Sequence, residues 1–223
     1  MGFYQRLIFK QSCVLCMEPA SFCICQACEA EFSNQTNRCQ SCAHPISGNL
    51  DFCGQCLSHS PAFNRAYTLY DYQDLVAQLI KIFKYNQRLC VGHYFAHKLA
   101  DKYQTMQNYD AIIPMPLSRQ RIRERGFNQV SELLNIIKKN PNHIIDTHSV
   151  HRIKATQPLA TLTPEQRQKE IKGAFHANTI SYQRVLLVDD VMTTGVSLNE
   201  LAKTILKAGA KNCDILTLSR ARD

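Results

Sequence analysis

No stretch of the 223 residues runs to about 18 consecutive apolar side chains, the length a helix needs to cross a bilayer, so nothing in the chain reads as a membrane span. The N-terminus is no secretory signal either: Met1 to Phe9 is short, carries Arg6, and gives way to Lys10-Gln11-Ser12. Internal repeats and low-complexity tracts are absent. These features argue against a transmembrane helix and a signal peptide, and the cytoplasm is the expected compartment. Acidic groups are in short supply, 18 against 26 Lys and Arg, for a formal net charge of +8. Apolar residues at 45% are normal for a globular chain, and the length suits one sizeable domain plus a small one.

Cysteine is abundant. Eleven cysteines in a chain without an export signal argue for metal rather than a disulfide framework. Eight form four Cys-x2-Cys pairs: Cys13/Cys16, Cys25/Cys28, Cys39/Cys42 and Cys53/Cys56. Each pair can put two thiolates on one ion, and two pairs complete a tetrahedral site. A redox role would need one pair, not four. The spacing predicts a double zinc ribbon with two Zn²⁺, both structural, because four thiolates leave no open coordination position. Sequential pairing, first with second and third with fourth, is favoured; a cross-braced arrangement is the alternative. Cys23, Cys90 and Cys213 are expected to be packing residues.

Charge divides with the cysteines. Residues 1–62 hold 3 basic and 4 acidic groups, and the rest of the chain holds 23 and 14. Two zinc-thiolate sites, formally −2 each, would bring the whole to about +4, an acidic ribbon beside a basic body. A basic body suits phosphate-bearing ligands. The boundary falls near Pro61 to Arg65, giving a ribbon domain over 1–62 and an α/β domain over 63–223.

The α/β domain carries the most informative stretch, Val185 to Ser197: V-L-L-V-D-D-V-M-T-T-G-V-S. Apolar residues make a buried strand, two carboxylates follow, then a Thr-Thr-Gly-x-Ser turn. Leu198, Leu201, Ala202, Ile205 and Leu206 recur at helical spacing up to Gly209, and Asp214 to Leu218 reads as the next strand. Strand, loop, helix and strand form a βαβ unit and imply a parallel sheet. The loop suits a ribose phosphate. Backbone N–H groups and hydroxyls of Thr193, Thr194, Gly195 and Ser197, at the positive end of the helix dipole, would hold the 5′-phosphate. Asp189 and Asp190 would accept the two ribose hydroxyls. The thirteen residues resemble the phosphoribosyl-pyrophosphate loop of type I phosphoribosyltransferases.

Further strands are expected over Thr68 to Tyr72 and Asp110 to Pro116, with a helix through Leu75, Leu79, Ile80, Ile82 and Phe83. Lys81 and Lys84 could reach phosphate, but a solvated helix face is the default reading. His93 and His97, four apart on a helix, lack an evident third ligand and are assigned no role. After the 110–116 strand, Arg119, Arg121, Arg123 and Arg125 alternate in a loop before Gly126-Phe127-Asn128-Gln129. Arginine suits bidentate phosphate contacts. Phe127 offers a stacking surface, while Asn128 and Gln129 can bond base edges or phosphates. A third polar segment, Arg152 to Leu159 with Gln157 inside it, leads through a Thr163-Pro164 helix start and Arg167 to Gly173-Ala174-Phe175; it reads as a flap over the sugar phosphate.

Taken in order, the Cys-x2-Cys pairs, Pro114-Met115-Pro116, Arg125-Gly126-Phe127-Asn128-Gln129, the Arg152…Thr156-Gln157…Arg167…Gly173-Ala174-Phe175 flap and the Asp189-Asp190 loop resemble the ComF family of competence proteins, from about residue 13 to 220. Where that family carries an Asn three residues after the flap arginine, this chain has Glu170. The resemblance implies a type I phosphoribosyltransferase-like fold and a role in natural transformation, handling incoming single-stranded DNA. It also implies DNA-processing partners such as a helicase or a recombination mediator.

Two readings of the site follow. In the first the chain binds single-stranded DNA, with Arg119, Arg123, Arg125, Asn128, Gln129, Arg152, Gln157 and Arg167 meeting backbone phosphates while the Asp-Asp loop holds a ribose 5-phosphate or phosphoribosyl pyrophosphate. In the second it is a working phosphoribosyltransferase that binds phosphoribosyl pyrophosphate with Mg²⁺ and transfers the ribosyl phosphate to a nucleobase or related nitrogen nucleophile, the same residues holding pyrophosphate. No base-reading hood is evident. A third class, a ribbon that docks a partner beside a degenerate body, is opposed by the intact loop.

Overall fold

The computed structural model of the chain describes residues 11–32, 37–85, 88–154 and 163–221. The cysteine-rich segment comes first, with β1 (Gln11–Ser12), β2 (Pro19–Ala20), α1 (Gln26–Ala30) and α2 (Gly54–Ser58). The rest is β3 (Arg65–Asp71), α3 (Asp74–Tyr85), α4 (Leu89–Gln104), β4 (Ala111–Pro114), α5 (Arg119–Arg125), α6 (Gln129–Leu133), β5 (Val150–Arg152), α7 (Pro164–Ile171), β6 (Phe175–Ala177), β7 (Arg184–Met192), α8 (Val196–Ala208) and β8 (Asn212–Arg220). No helix among the described residues is long and apolar enough to cross a membrane.

Four strands form one parallel sheet in the order β3-β8-β7-β4. Its middle strands are covered on both faces, so they read as continuous apolar runs rather than alternations. Val185, Leu186, Leu187 and Val188 of β7 and Ile215, Leu216 and Leu218 of β8 are all fully buried. The crossover from β3 to β4 and the one from β7 to β8 run in opposite directions along the sheet. With right-handed crossovers this puts α3 and α4 on one face and α8 on the other. All four strands therefore end at one edge, and the turns that leave Asp71, Pro114, Met192 and Arg220 converge there. In open parallel sheets the crevice beyond the carboxyl ends is where ligands bind.

Several elements are longer than expected. β7 continues four residues past its apolar run, so Asp189 and Asp190 belong to the strand itself. β8 likewise reaches Arg220. The segment read as a loop of alternating arginines is helical: Ser118 caps α5 by accepting the Arg121 N–H, and Gly126 ends it in the left-handed conformation. Alternate positions on a helix step by about 200°, so a single arginine strip does not form there. The flap segment begins and ends in an antiparallel pair, β5 with β6, in which Arg152 lies opposite Phe175.

The cysteine-rich segment packs on the sheet's β3 edge. The Ala66 N–H of β3 donates to the Ser41 carbonyl at 2.8 Å, Arg38 pairs with buried Asp71 at 2.7 Å, and Phe32 sets its ring edge-on to Tyr70 at 5.6 Å. Lys98 of α4 pairs with Glu29 of α1. An edge strand left open invites pairing with another chain, and the segment blocks this one.

Candidate functional site

The cysteines assemble two sites. The thiols of Cys13, Cys16, Cys25 and Cys28 lie within 4.8 Å of one another, as do those of Cys39, Cys42, Cys53 and Cys56, so the pairing is sequential and both clusters could hold a metal ion. One local design occurs twice. The first pair sits in a tight turn closed by β1–β2 in one case and by the Arg38–Pro45 bridge in the other. The residue after the second cysteine, Met17 or Ala43, has a positive φ of 65° or 57°. The third cysteine, Cys25 or Cys53, is the N-cap of a short helix that carries the fourth.

The donor chemistry fits a thiophilic divalent ion. Burial raises the Cys13 thiol, but N–H groups of Cys16, Cys25 and Leu15 outweigh it and bring it down to about 6. Burial likewise opposes the N–H groups of Cys42, Cys53 and Ser41 at Cys39, which settles at about 7. Burial and neighbouring thiols push Cys28 up to about 12 and Cys42 up to about 11. Crowded thiols cannot all ionise alone, and a cation that binds them must displace their protons.

The second site lies at the carboxyl edge of the sheet. Asp190 is 7% exposed, and its Oδ1 receives the Lys84 ammonium of α3 at 2.8 Å. Asp189, half-buried, accepts the Asp190 N–H on its own Oδ1 at 2.8 Å. Each carboxylate thus keeps a second oxygen with no recorded partner among the described residues, a pair of acceptors suited to a vicinal diol. Burial, then the charge of Asp190, push the Asp189 carboxyl up to about 7, against the opposing pull of Lys84, the Asp190 N–H and Arg152.

Beyond the carboxylates the chain turns through Thr193 and Thr194 to Gly195, the N-cap of α8. Gly195 has φ +76°, and a Cβ there would come within 2.5 Å of the Met192 side chain. The positive φ calls for glycine, while the methyl end of Met192 could swing aside, and the turn opens a 13-residue helix whose N-cap makes no side-chain hydrogen bond. Thr193 is exposed, and Thr194 and Ser197 are half-buried.

Of the arginines, Arg152 is brought to the loop. It shares an electrostatic neighbourhood with Asp189 and Arg121, and its guanidinium stacks over the Phe175 ring at 5.7 Å. With Ser118, Asn128 and Pro116 it lines a cavity of about 590 Å³ next to the β4 end. Arg123 is exposed and Arg167 half-buried on α7. The side chains of Arg119 and Arg125 and the whole of Gln157 lie outside the described residues. Asn128 is engaged in the fold: it caps α6 through the Val130 N–H and donates to the Met115 carbonyl. Gln129 is 1% exposed, and Phe127 packs half-buried against the core.

Two residues escaped sequence reasoning. Lys84 lies on Asp190 rather than on a solvated helix face. Arg220, 1% exposed at the end of β8, donates to carbonyls of the loop and of the second cysteine cluster. A larger cavity, about 950 Å³, opens between Phe22 of the ribbon and Leu89 and Tyr94 of α4, and shares no lining residue with the loop. His93 and His97 stack there edge to face at 4.6 Å, without a third ligand among the described residues.

No protein-family model matches the chain. It is similar along nearly its whole length to curated proteins. Competence protein F of Haemophilus influenzae is 29% identical, with 96% of this chain and 98% of the relative covered. The DNA utilization protein YhgH of Escherichia coli K12 is 28% identical over 93% of this chain and 96% of the relative. Competence protein ComFC of Bacillus subtilis is 24% identical over 89% and 84%.

Proposed function

We propose that this chain, which belongs to the ComF family of competence proteins, handles incoming single-stranded DNA on a scaffold of type I phosphoribosyltransferase kind that binds a ribose 5-phosphate group. The observation that carries this reading is the edge where β7 meets α8: two carboxylates each with an oxygen unengaged among the described residues, a turn of hydroxyls through a left-handed glycine and a helix N-terminus within one short stretch. That set matches a sugar phosphate's two chemical ends, diol and dianion. The names of the relatives speak for DNA as the larger ligand. Two Zn²⁺ in the cysteine clusters would be structural, since each cluster offers four thiolates and so leaves no open position.

In this reading Thr193, Thr194, Gly195 and Ser197 hold the 5′-phosphate, while Asp189 and Asp190 accept the ribose hydroxyls. Arg152, steadied by Phe175, meets the pyrophosphate of phosphoribosyl pyrophosphate with its Mg²⁺, or a backbone phosphate of DNA held beside the loop, since deoxyribose within a strand offers no such diol. The cavity lined by Ser118, Asn128 and Arg152 supports this second phosphate position. It is also what favours the alternative, a phosphoribosyltransferase acting on a nitrogen nucleophile, in which the same cavity receives the leaving pyrophosphate.

Anisotropy of labelled single-stranded DNA, with and without phosphoribosyl pyrophosphate and Mg²⁺, tests the reading. Binding should weaken steeply with salt, and the sugar phosphate should compete. Replacing exposed Arg123 with Ala should reduce the salt slope by about 1 if it meets a phosphate. Absence of DNA binding, together with pyrophosphate release when nucleobases are added, would hand the site to the enzyme.

Asp189 adds a pH signature. Its folded value of about 7 stands above the ordinary 3.8, so the proton-bound form is favoured by folding. Its contribution to stability is present below the ordinary value and is lost as pH rises through about 7. A hydroxyl donates best to the carboxylate, so ribose 5-phosphate affinity should climb over the same interval. Asp189→Asn should leave only the phosphate's own titration, near pH 6. A profile identical in the two proteins would remove Asp189 from the site.

A further inference from the structure

The guanidinium of Arg220 is 1% exposed, and no carboxylate pairs with it among the described residues. A buried cation without a counter-charge is costly, so its hydrogen bonds need accounting. All of them go to carbonyls. Nε donates to Cys42 at 3.2 Å; Nη1 donates to Met192 at 3.3 Å, to Thr193, and to Ala221 at 2.7 Å. One end of the side chain is thus anchored on a cysteine of the second cluster. The other holds the two residues that open the phosphate turn. Planarity makes the link stiff, since a guanidinium fixes the relative directions of its donors. A divalent ion on four thiolates would leave a formal charge of −2 on the site that contains Cys42, a negative charge on the side of the guanidinium that meets the Cys42 carbonyl.

We infer that Arg220 is a positioning residue that makes the shape of the 192–197 turn depend on metal in the Cys39/Cys42/Cys53/Cys56 cluster. Loaded, the cluster fixes the Cys42 carbonyl and holds the guanidinium in place. The carbonyls of Met192 and Thr193 then point inward to it, leaving the N–H groups of the turn facing outward. Emptied, the cluster loses its charge and its rigid turn, and the strand end loses its brace. The consequence for ligand rests on the reading of 193–197 as a phosphate loop; the mechanical link does not.

Amide hydrogen exchange on the full chain separates the two. Arg220→Met keeps the side chain's bulk and removes its donors. It should speed exchange across 192–197 by about tenfold or more while leaving the buried β7 amides of 185–188 unchanged. Arg220→Lys, which keeps a charged donor, should restore part of the protection. Cys53→Ser, which disables the second cluster without touching Arg220, should reproduce the loosened turn, whereas Cys16→Ser in the first cluster should loosen the 11–30 region alone. Should Arg220→Met fail to fold, the two cysteine variants still decide the matter. Equal effects of Cys53→Ser and Cys16→Ser on the turn, or no effect of either, would overturn the inference. Ribose 5-phosphate titrated into the same proteins should bind Arg220→Met and Cys53→Ser at least about tenfold more weakly than the parent. Failure of the parent itself to bind would sink the phosphate reading and leave the exchange result standing.

Discussion

Purified protein should carry two zinc ions per chain, and stripping them with a strong chelator should unfold the N-terminal segment and cause the remainder to aggregate. The segment has little else to hold it. Its strands are two residues long and its helices five, far below what stands alone in water. A structural zinc site contributes on the order of 10–16 kcal/mol of apparent binding energy near neutral pH, which here becomes folding energy. Aggregation follows from topology. Ser41 satisfies an N–H of β3, and Phe32 covers Tyr70; both leave with the ribbon and expose an edge strand. Acid should do what the chelator does, because protons compete for thiolates. Release should set in only below the interval of about 6 to 7 in which Cys13 and Cys39 take up protons in the metal-free clusters, because the metal's own affinity displaces protonation downward. Metal analysis alongside a thermal melt checks the chain of reasoning. An unchanged melting temperature after complete metal loss would show that the ribbon is held by something else.

What the sequence made legible follows the range of the interaction concerned. Cysteine spacing is local, and it brought out both clusters and the favoured pairing, because a two-residue gap already sets two thiolates side by side. The βαβ unit around Asp189 was equally local: a buried apolar run, a turn that only glycine suits, and a helical period up to Gly209. The arginine segment reads as a loop by its alternation, yet its ends carry helix signals, Ser118 as a cap and Gly126 as a terminator. The alternating pattern of Arg119 to Arg125 distracted from them, since alternation suits an extended chain. Lys84 and Arg220 were out of reach for a different reason. Lys84 meets Asp190 across 106 residues, and Arg220 meets Cys42 across 178. Nothing near either residue in the chain announces a partner so distant. The conversion of Asn128 and Gln129 from expected ligand readers to a cap and a buried side chain is also tertiary, set by how α6 seats against α4 and β7.

The carboxylate pair yields the second large expected effect. Asp190→Ala should reduce ribose 5-phosphate affinity by roughly 10- to 100-fold, the worth of one charge-assisted hydrogen bond at about 1.5–3 kcal/mol. The same change takes from Lys84 its partner at 2.8 Å, in a pair with side chains 19% and 10% exposed. Partial exposure discounts the cost, and a loss of roughly 1–3 kcal/mol of stability is expected, less than the full penalty of breaking a buried pair. Affinity and stability must therefore be read apart. Lys84→Met performs the separation: it breaks the same ion pair, lowers stability comparably, and keeps both carboxylates. If Asp190 accepts a ribose hydroxyl through its unengaged oxygen, Lys84→Met should retain most of the affinity that Asp190→Ala loses. Titration calorimetry of both variants, at a temperature well below their melting points, gives the comparison. Equal losses in the two would mean that the ion pair shapes the strand end and that the ribose lies elsewhere. Undiminished affinity in Asp190→Ala would dismiss the diol assignment outright, leaving the glycine turn and the α8 N-terminus as an anion site with no sugar in it.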